Sequence, residues 1–307
     1  MTYPIFTVVI PVYNRAHLIL PILESVKQQT FSDLECIIVD DGSKDASALE
    51  KVVHEFGDQR FRYIYQNNSG GGAARNTGID AARGRYIALL DSDDYFLPTK
   101  LEQDFSFLSK QKSDNHAIFS QVLIDRGVGK YWTKPRRGPR INENISEYLT
   151  CAQGFVPTSS LVVPRKVAAS VRYDENLPFG QDTDFAMRLA AAGIAIRMVE
   201  RPLVVVNDTD RSGRISLQRK YLPSLQWTER ALNTMMTQRA YLAYRGWHVA
   251  RLAAPFDARL AYRLYFKALF SGALPPRLAL RAISQIIIPV NYYRRLADTV
   301  AQIAGQR

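Results

Sequence analysis

Histidine and cysteine are scarce in this 307-residue chain. The four histidines, His17, His54, His116 and His248, are scattered and offer no metal-ligand spacing. Two cysteines, Cys36 and Cys151, cannot build a disulfide framework, so a reducing cytoplasm is the simplest home. GxSxG, HExxH and CxxC are all absent. No apolar run approaches the ~20 residues that span a bilayer. The longest candidate, Ile283 to Val290, is broken by Ser284, Gln285 and Pro289. The opening MTYPIFTVVIPVYN has neither the basic start nor the small-residue cleavage site of a signal peptide. Acidic residues run short in one place only. Residues 207–307 hold 16 Lys and Arg against 5 Asp and Glu, whereas residues 1–206 hold 24 of each. The whole net charge of +11 therefore sits in the C-terminal third, which suggests a tail that meets something anionic.

What is present reads as a globular protein. Hydrophobic residues at 47% and charged residues at 22% exclude collagen, coiled coil and a disordered chain. The first two thirds alternate β-rich runs with helical periodicity. Strands are expected at Phe6 to Val12, Leu34 to Val39, Phe61 to Tyr65 and Arg85 to Leu90. Helices are expected at His17 to Gln29, Ala73 to Ala82 and Asp182 to Ala192. Residues 111 to 150 read as less regular, with Lys130 to Arg140 a basic, Pro- and Gly-containing surface loop. A short strand is expected at Ser160 to Val163 and a strand pair around Ile194 to Val206. Beyond Ser216 the chain is Arg-, Ala- and Leu-rich and helical, with breaks near Pro255 and Pro275-Pro276. Strands separated by helices argue for a doubly wound α/β sheet, whose ligands sit at the carboxyl ends of strands.

The polar residues at those ends carry the chemistry. Asp91-Ser92-Asp93-Asp94 follows the run YIALL. Carboxylates two apart point the same way on extended backbone and make a hard oxygen site for Mg²⁺ or Mn²⁺. A solvated strand-end turn is the plainer alternative. Asp40-Asp41-Gly42-Ser43 could accept hydrogen bonds from a base or ribose, or could be an Asp-Gly turn with Ser43 or Asp45 capping a helix. Gly70-Gly71-Gly72 resembles a phosphate cradle without matching a known glycine pattern, and Arg75 follows where a guanidinium could meet phosphate. Asp182 opens a helix, either as its cap or as a general base.

In order and spacing, TVVIPVYNR, IIVDDGSKD, GGAARNTGIDAARGRYIALLDSDD and LPFGQDTDFAMRLAAAG resemble the family 2 glycosyltransferases over about residues 5 to 206. The resemblance implies a GT-A fold, α/β and Rossmann-like with a mostly parallel sheet and flanking helices. It also implies a nucleotide-diphosphate sugar donor, UDP by family habit, and inversion at the anomeric carbon. Pro11, Tyr13 and Asp41 would line the nucleobase and ribose pocket with Asp40 beside them, and Arg75 would lie near the base or diphosphate. Asp93 would bind the metal, Asp91 would face the sugar or ribose, and Asp182 would be the catalytic base. Two departures stand out. Gln181 occupies the place of the family's usual Glu, and no His follows the last strand, which leaves Asp208 and Asp210 as substitute metal ligands.

The expectation is a metal-dependent inverting glycosyltransferase in residues 1–215 with a basic helical extension in residues 216–307. Its acceptor would be a glycan or a lipid-linked glycan in bacterial surface polysaccharide assembly. Cytoplasmic placement, with the tail on the inner face of the membrane, suits the charge. For that tail the partners to weigh are an anionic membrane surface and a second copy in a homodimer. Two rivals remain: a nucleic-acid-binding protein, suggested by a pI near 9.6, and an inactive scaffold. The neutral motif-bearing body argues against the first, so no nucleic-acid partner is expected. Retention of Asp41, Asp91, Asp93 and Asp182 argues against the second.

Overall fold

The computed structural model describes residues 3–111, 113, 115–127, 129, 131–209, 221–288 and 292–293. These form two compact units. The first holds residues up to 145 and from 155 to 209; the second joins residues 146–154 to the described residues from 221 onward.

The first unit is built on strands β1 (Phe6–Val12), β2 (Leu34–Asp41), β3 (Phe61–Gln66) and β4 (Tyr86–Leu89). β2 is buried throughout and β1 nearly so, which is why both read as unbroken apolar runs: both faces of the sheet are covered. β1 pairs in parallel with β2 and β4, and β2 with β3. The chain thus moves outward through β2 and β3, then returns to the other side of β1. That reversal opens a crevice at the carboxyl ends of β1 and β4, where open α/β sheets bind ligands. Helix α1 (Ile19–Lys27) follows a short 3-10 turn at Ala16–Leu18, and α2 (Ala46–Glu55) and α3 (Gly71–Ala81) complete the crossovers. α3 lies close on the sheet because Gly78 has no side chain: a Cβ there would stand 2.3 Å from Val9 Cγ1.

Beyond β4 the sheet becomes mixed. β5 (Tyr95–Phe96), β6 (His116–Asp125), β7 (Tyr131–Lys134), β8 (Val162–Pro164) and β9 (Ala195–Asn207) complete the order β3-β2-β1-β4-β8-β6-β9-β5, with β7 on β6. Parallel ladders remain the longer ones. Helices α4 (Lys100–Leu108), α6 (Arg165–Val171) and α7 (Gln181–Ala191) flank or follow these strands, whereas α5 (Ile145–Thr150) carries the chain into the second unit. On α4, Lys100 and Asp104 form a fully buried ion pair, and Lys100 Nζ also donates to the Ser160 carbonyl at 3.1 Å. Burial pushes the lysine down and the carboxyl up in pKa, each toward its neutral form.

Three expectations need correction. The segment 111–150 is not irregular throughout, because it contains the ten-residue β6. Within the expected basic loop, Tyr131–Lys134 is a strand; as a mostly exposed edge it carries the polar composition of a loop. The expected strand pair near Ile194 is one strand, β9. Proline at 202 lacks a ladder N–H, and the strand absorbs it by shifting register between Ser120↔Val199 and Gln121↔Pro202.

The second unit is helical: α8 (Tyr221–Ala231), α9 (Gln238–Tyr244), α10 (Ala250–Ala253), α11 (Ala258–Phe270) and α12 (Pro276–Ile287), with a π turn at Arg245–Val249. Its interior is rich in small residues, with Cys151, Ala243, Ala268, Ala273, Ala279 and Ala282 packed around Tyr265, Leu274 and Leu278. Cys36 and Cys151 are both buried and free. Among the described residues, no helix is long and apolar enough to cross a membrane.

Candidate active site

The loops after β1 and β2 are stitched together before any ligand is considered. Ser43 Oγ accepts from the Asn14 amide at 2.9 Å, Asn14 Oδ1 accepts from the Lys44 amide at 2.7 Å, and Asp45 Oδ2 accepts from the Ala16 amide at 2.9 Å. Asp45 precedes α2 but does not cap it, because its carboxylate is used across the loop instead. Asp40 is fully buried, accepting from the Ser43 amide at 2.8 Å and from Tyr63 Oη at 2.7 Å. Burial, then the hydrogen bond to Asp40, push the Tyr63 hydroxyl well above its ordinary pKa.

Asp41 organises the glycine-rich turn. Its Oδ1 accepts from Gln66 Nε2 and from the Ser69 amide, both at 2.8 Å, and its Oδ2 accepts from the Gly70 amide at 2.8 Å. Its carbonyl takes Asn68 Nδ2 at 2.8 Å. Gly42 makes that closeness feasible: its φ is +71°, and a Cβ would meet the Asn68 nitrogen at 2.5 Å. Asp41 is therefore the clasp of the loop that starts α3, with its carboxylate largely spent on protein donors. Pro11 lies half-buried within β1, and Tyr13 just beyond it is 45% exposed. Both border the same edge.

Arg75 is the hub. From the second turn of α3, its Nη2 meets Asp91 Oδ1 at 2.5 Å and its Nη1 donates to Gln181 Oε1 at 2.9 Å and to the Gly71 carbonyl at 3.1 Å. Its guanidinium lies 5.3 Å from the Tyr173 ring, which stacks on Phe185 at 4.1 Å. Burial is the largest single influence and opposes the cation, but the charge of Asp91, then those of Tyr173 and Asp182 with the Asp91 hydrogen bond, together outweigh it and hold the Arg75 pKa above its usual value. Gln181 in turn donates to the Leu177 carbonyl at 2.7 Å. Residues 106 positions apart in sequence are thus locked together at the strand ends.

The acidic turn after β4 divides into roles. Asp91 pairs with Arg75, and Asp93 pairs with Arg15 Nη1 at 2.9 Å; both acids keep part of their side chains exposed. Asp94 is buried, accepting from Ser159 Oγ at 2.5 Å and the Asn207 amide at 3.1 Å. Burial first, then the charges of Asp93 and Asp91, push its carboxyl well above the usual range. Asp94 therefore fastens the turn to β9 and leaves its two neighbours facing the crevice.

Asp182 sits in the first turn of α7, but the cap position belongs to Gly180. Among the described residues, its carboxylate accepts no hydrogen bond, while its charge acts on both Arg75 and Tyr173. Asp208, at the end of β9, lies 3.6 Å from Arg126 Nε. Asp210 lies outside the described residues. No group of three or more His, Cys, Asp and Glu able to hold a metal occurs among the described residues. Direct contacts join Asp41 to Gly70, and Arg75 to Gly71, Asp91 and Gln181, with Asp93 two residues from Asp91. The structure adds Arg15, Tyr173 and Asp94. The YNR tripeptide after β1 was the available signal for Arg15, and Asp94 stood in the acidic cluster without a role of its own; Tyr173 declares itself only through packing.

Solved glycosyltransferases share this architecture. TarS of S. aureus, in a structure with UDP-GlcNAc, superposes with a TM-score of 0.62 at 18% identity, covering 97% of this chain and 91% of that one. The mannosyltransferase PcManGT of Pyrobaculum calidifontis, in a structure with GDP-Man and Mn²⁺, gives 0.61 at 18% identity, covering 99% and 86%. The fold is GT-A, with helices added at the C-terminal end. The family model described as glycosyl transferase family 2 matches residues 7–170, over half the chain. The amylovoran biosynthesis glycosyltransferase AmsB of Erwinia amylovora is 32% identical over 248 residues, 79% of this chain and 82% of that protein. This chain belongs to glycosyl transferase family 2.

Proposed function

We propose that the protein transfers a sugar from a nucleotide-diphosphate sugar, a UDP-sugar favoured, to a hydroxyl of a glycan or lipid-linked acceptor, with inversion. We place the reaction in bacterial surface polysaccharide synthesis, a reading supported by the kinship with AmsB. The observation that carries the proposal is the Arg75 hub, which joins the acids after β4 to the start of α7, where Asp182 waits without a hydrogen-bond partner among the described residues.

In this reading the nucleoside enters against Pro11, Tyr13 and the Asp40-Asp41 loop. Arg15 and Arg75, each already paired with an acid, are the cations nearest the diphosphate. Asp93 and Asp91 are hard oxygen donors, the chemistry that suits Mg²⁺ or Mn²⁺ when substrate phosphates supply further oxygens. Asp93 would hold the ion with Asp91 beside it; Asp208 is committed to Arg126. Such an ion would offset charge on the departing diphosphate. Asp182 takes the proton from the acceptor hydroxyl. The acceptor oxygen forms its bond to the anomeric carbon from the face opposite the diphosphate, and the electron pair of the breaking C–O bond leaves on the β-phosphate oxygen. Gln181 is neutral where a glutamate would compete with Asp91 for Arg75, so the Arg75–Asp91 pair stays intact.

A thermal-shift panel of UDP-, GDP- and dTDP-sugars, with and without Mn²⁺, tests the proposal. The true donor raises Tm by binding only the folded state, and Mn²⁺ enlarges the shift. No shift with any donor would sink it.

A further inference from the structure

Helix α11 has two faces of different character. It begins at Asp257, whose side chain accepts from the Leu260 amide at 2.9 Å. One face, made of Ala261, Leu264, Tyr265 and Ala268, is buried in the helical unit. The other is exposed, and its residues divide lengthwise. Tyr262, Phe266 and Phe270 follow one another at four-residue spacing and are 39%, 43% and 82% exposed. Their rings form a ladder, with centroids 6.4 and 5.8 Å apart and planes inclined by 24° and 16°. Beside them run Arg259, Arg263 and Lys267, all exposed and none with an ion-pair partner among the described residues. Phe256, just ahead of the helix, is 77% exposed. On α12 the exposed side repeats the composition, with Leu280 and Ile287 beside Arg277 and Arg281.

Such a face costs free energy in water. Exposed aromatics at regular spacing mark a surface that meets something, not a solvated helix. The charge says what. Between Ala231 and Ile288 the only acidic residue is Asp257, and it is occupied as a helix cap. A second copy of this face would bring arginines against arginines, with no acid in this stretch to pair them. Single-stranded nucleic acid could use the rings and the charges, but it has no use for exposed Leu280 and Ile287. A lipid surface uses all three: acyl boundary for the aliphatic groups, headgroup region for Tyr and Phe, and anionic headgroups for Arg and Lys.

We infer that the exposed face of α11, edged by Arg259, Arg263 and Lys267 and stepped by Tyr262, Phe266 and Phe270, docks this chain on an anionic lipid bilayer. Attachment is peripheral, by shallow insertion of rings and by charge. It would hold the enzyme at the surface where a lipid-linked acceptor is presented.

The test is co-sedimentation of the full chain with phosphatidylcholine vesicles, with or without phosphatidylglycerol. Wild type is expected to pellet with the anionic vesicles, stay in solution with neutral ones, and release in high salt. The variant Arg259→Gln/Arg263→Gln/Lys267→Gln is expected to lose about a hundredfold in partition, at roughly fivefold for each basic residue near an anionic surface. Phe266→Ser/Phe270→Ser is expected to weaken binding even at low salt, where the charges remain. Thermal melts confirm that both variants are folded. Three results would overturn the inference: pelleting of the variants equal to wild type, wild type that ignores anionic vesicles but forms a dimer split by the Phe variant, or wild type that prefers single-stranded nucleic acid to vesicles.

Discussion

The crevice of the first unit and the exposed face of α11 handle charge in opposite ways. In the GT-A unit the site arginines have acids waiting: Arg15 meets Asp93, Arg75 meets Asp91, and even the interior pair Lys100–Asp104 is complete. In the helical unit, Arg259, Arg263 and Lys267 stand on one exposed face with no such partner among the described residues. The first arrangement is that of a preorganised site, whose charges are held in place before any ligand arrives. The second leaves its charge to be balanced from outside. The distinction is testable, because removing a charge has different consequences in each.

The largest effect is expected at Asp93. Asp93→Asn leaves Arg15 without its acid and removes the proposed metal donor, so turnover is expected to fall by about 10³-fold while the fold persists, the upper end of the range for electrostatic stabilisation of the transition state. Stripping divalent ions with EDTA produces a similar loss. Sugar transfer assays with circular dichroism check both; near-normal turnover in the variant would break the site side of the comparison.

Next is Asp104→Ala, which strands Lys100 in the interior. Breaking a buried pair costs about 3 to 5 kcal/mol, or roughly 10 °C in Tm for a unit of this size. The pH dependence has a definite sign. Burial already lowers the Lys100 pKa below its unfolded value. Between those two values the unfolded chain binds more protons, so the variant's stability rises with pH and its deficit shrinks from neutral toward alkaline pH. A deficit that grows with pH would contradict the assignment.

The smallest effect belongs to the helical unit. Exchanging Arg259, Arg263 and Lys267 for Gln together is expected to cost no more than about 1.5 kcal/mol, since exposed substitutions away from special features stay within ~0.5 kcal/mol each. Calorimetry that shows a loss as large as that of Asp104→Ala would mean those charges are structural.

These contrasts were unevenly visible in the sequence. β1, β2 and β4 could be read because strands covered on both faces become apolar runs, and the acids at their ends follow by position. β7 was missed for the opposite reason: it is an exposed edge strand whose YWTK has no core to match, whereas β6 is largely buried and was lost among its irregular neighbours. Asp41 was placed correctly at the strand end, but its bonds to Gln66 at the end of β3 and to Ser69 and Gly70 in the turn beyond come from 25 to 29 residues away. Arg15 appeared in a quoted motif without a role, because its partner Asp93 lies 78 positions further on. In α11 the periodicity separated basic from apolar positions, yet could not say that Leu264 and Tyr265 turn inward while Tyr262 and Phe266 turn out. Local pattern decides an element; which of its faces is covered is decided by what folds against it.

The account rests on Asp182 acting on the acceptor while the Arg75 hub keeps it in place. The direct measurement is kcat for sugar transfer by Asp182→Asn, taken together with donor affinity by calorimetry. We predict a fall in kcat of at least about 10²-fold with donor affinity and Tm unchanged. A variant that transfers sugar at the wild-type rate but melts at lower temperature would contradict it, and would make Asp182 a structural residue of α7.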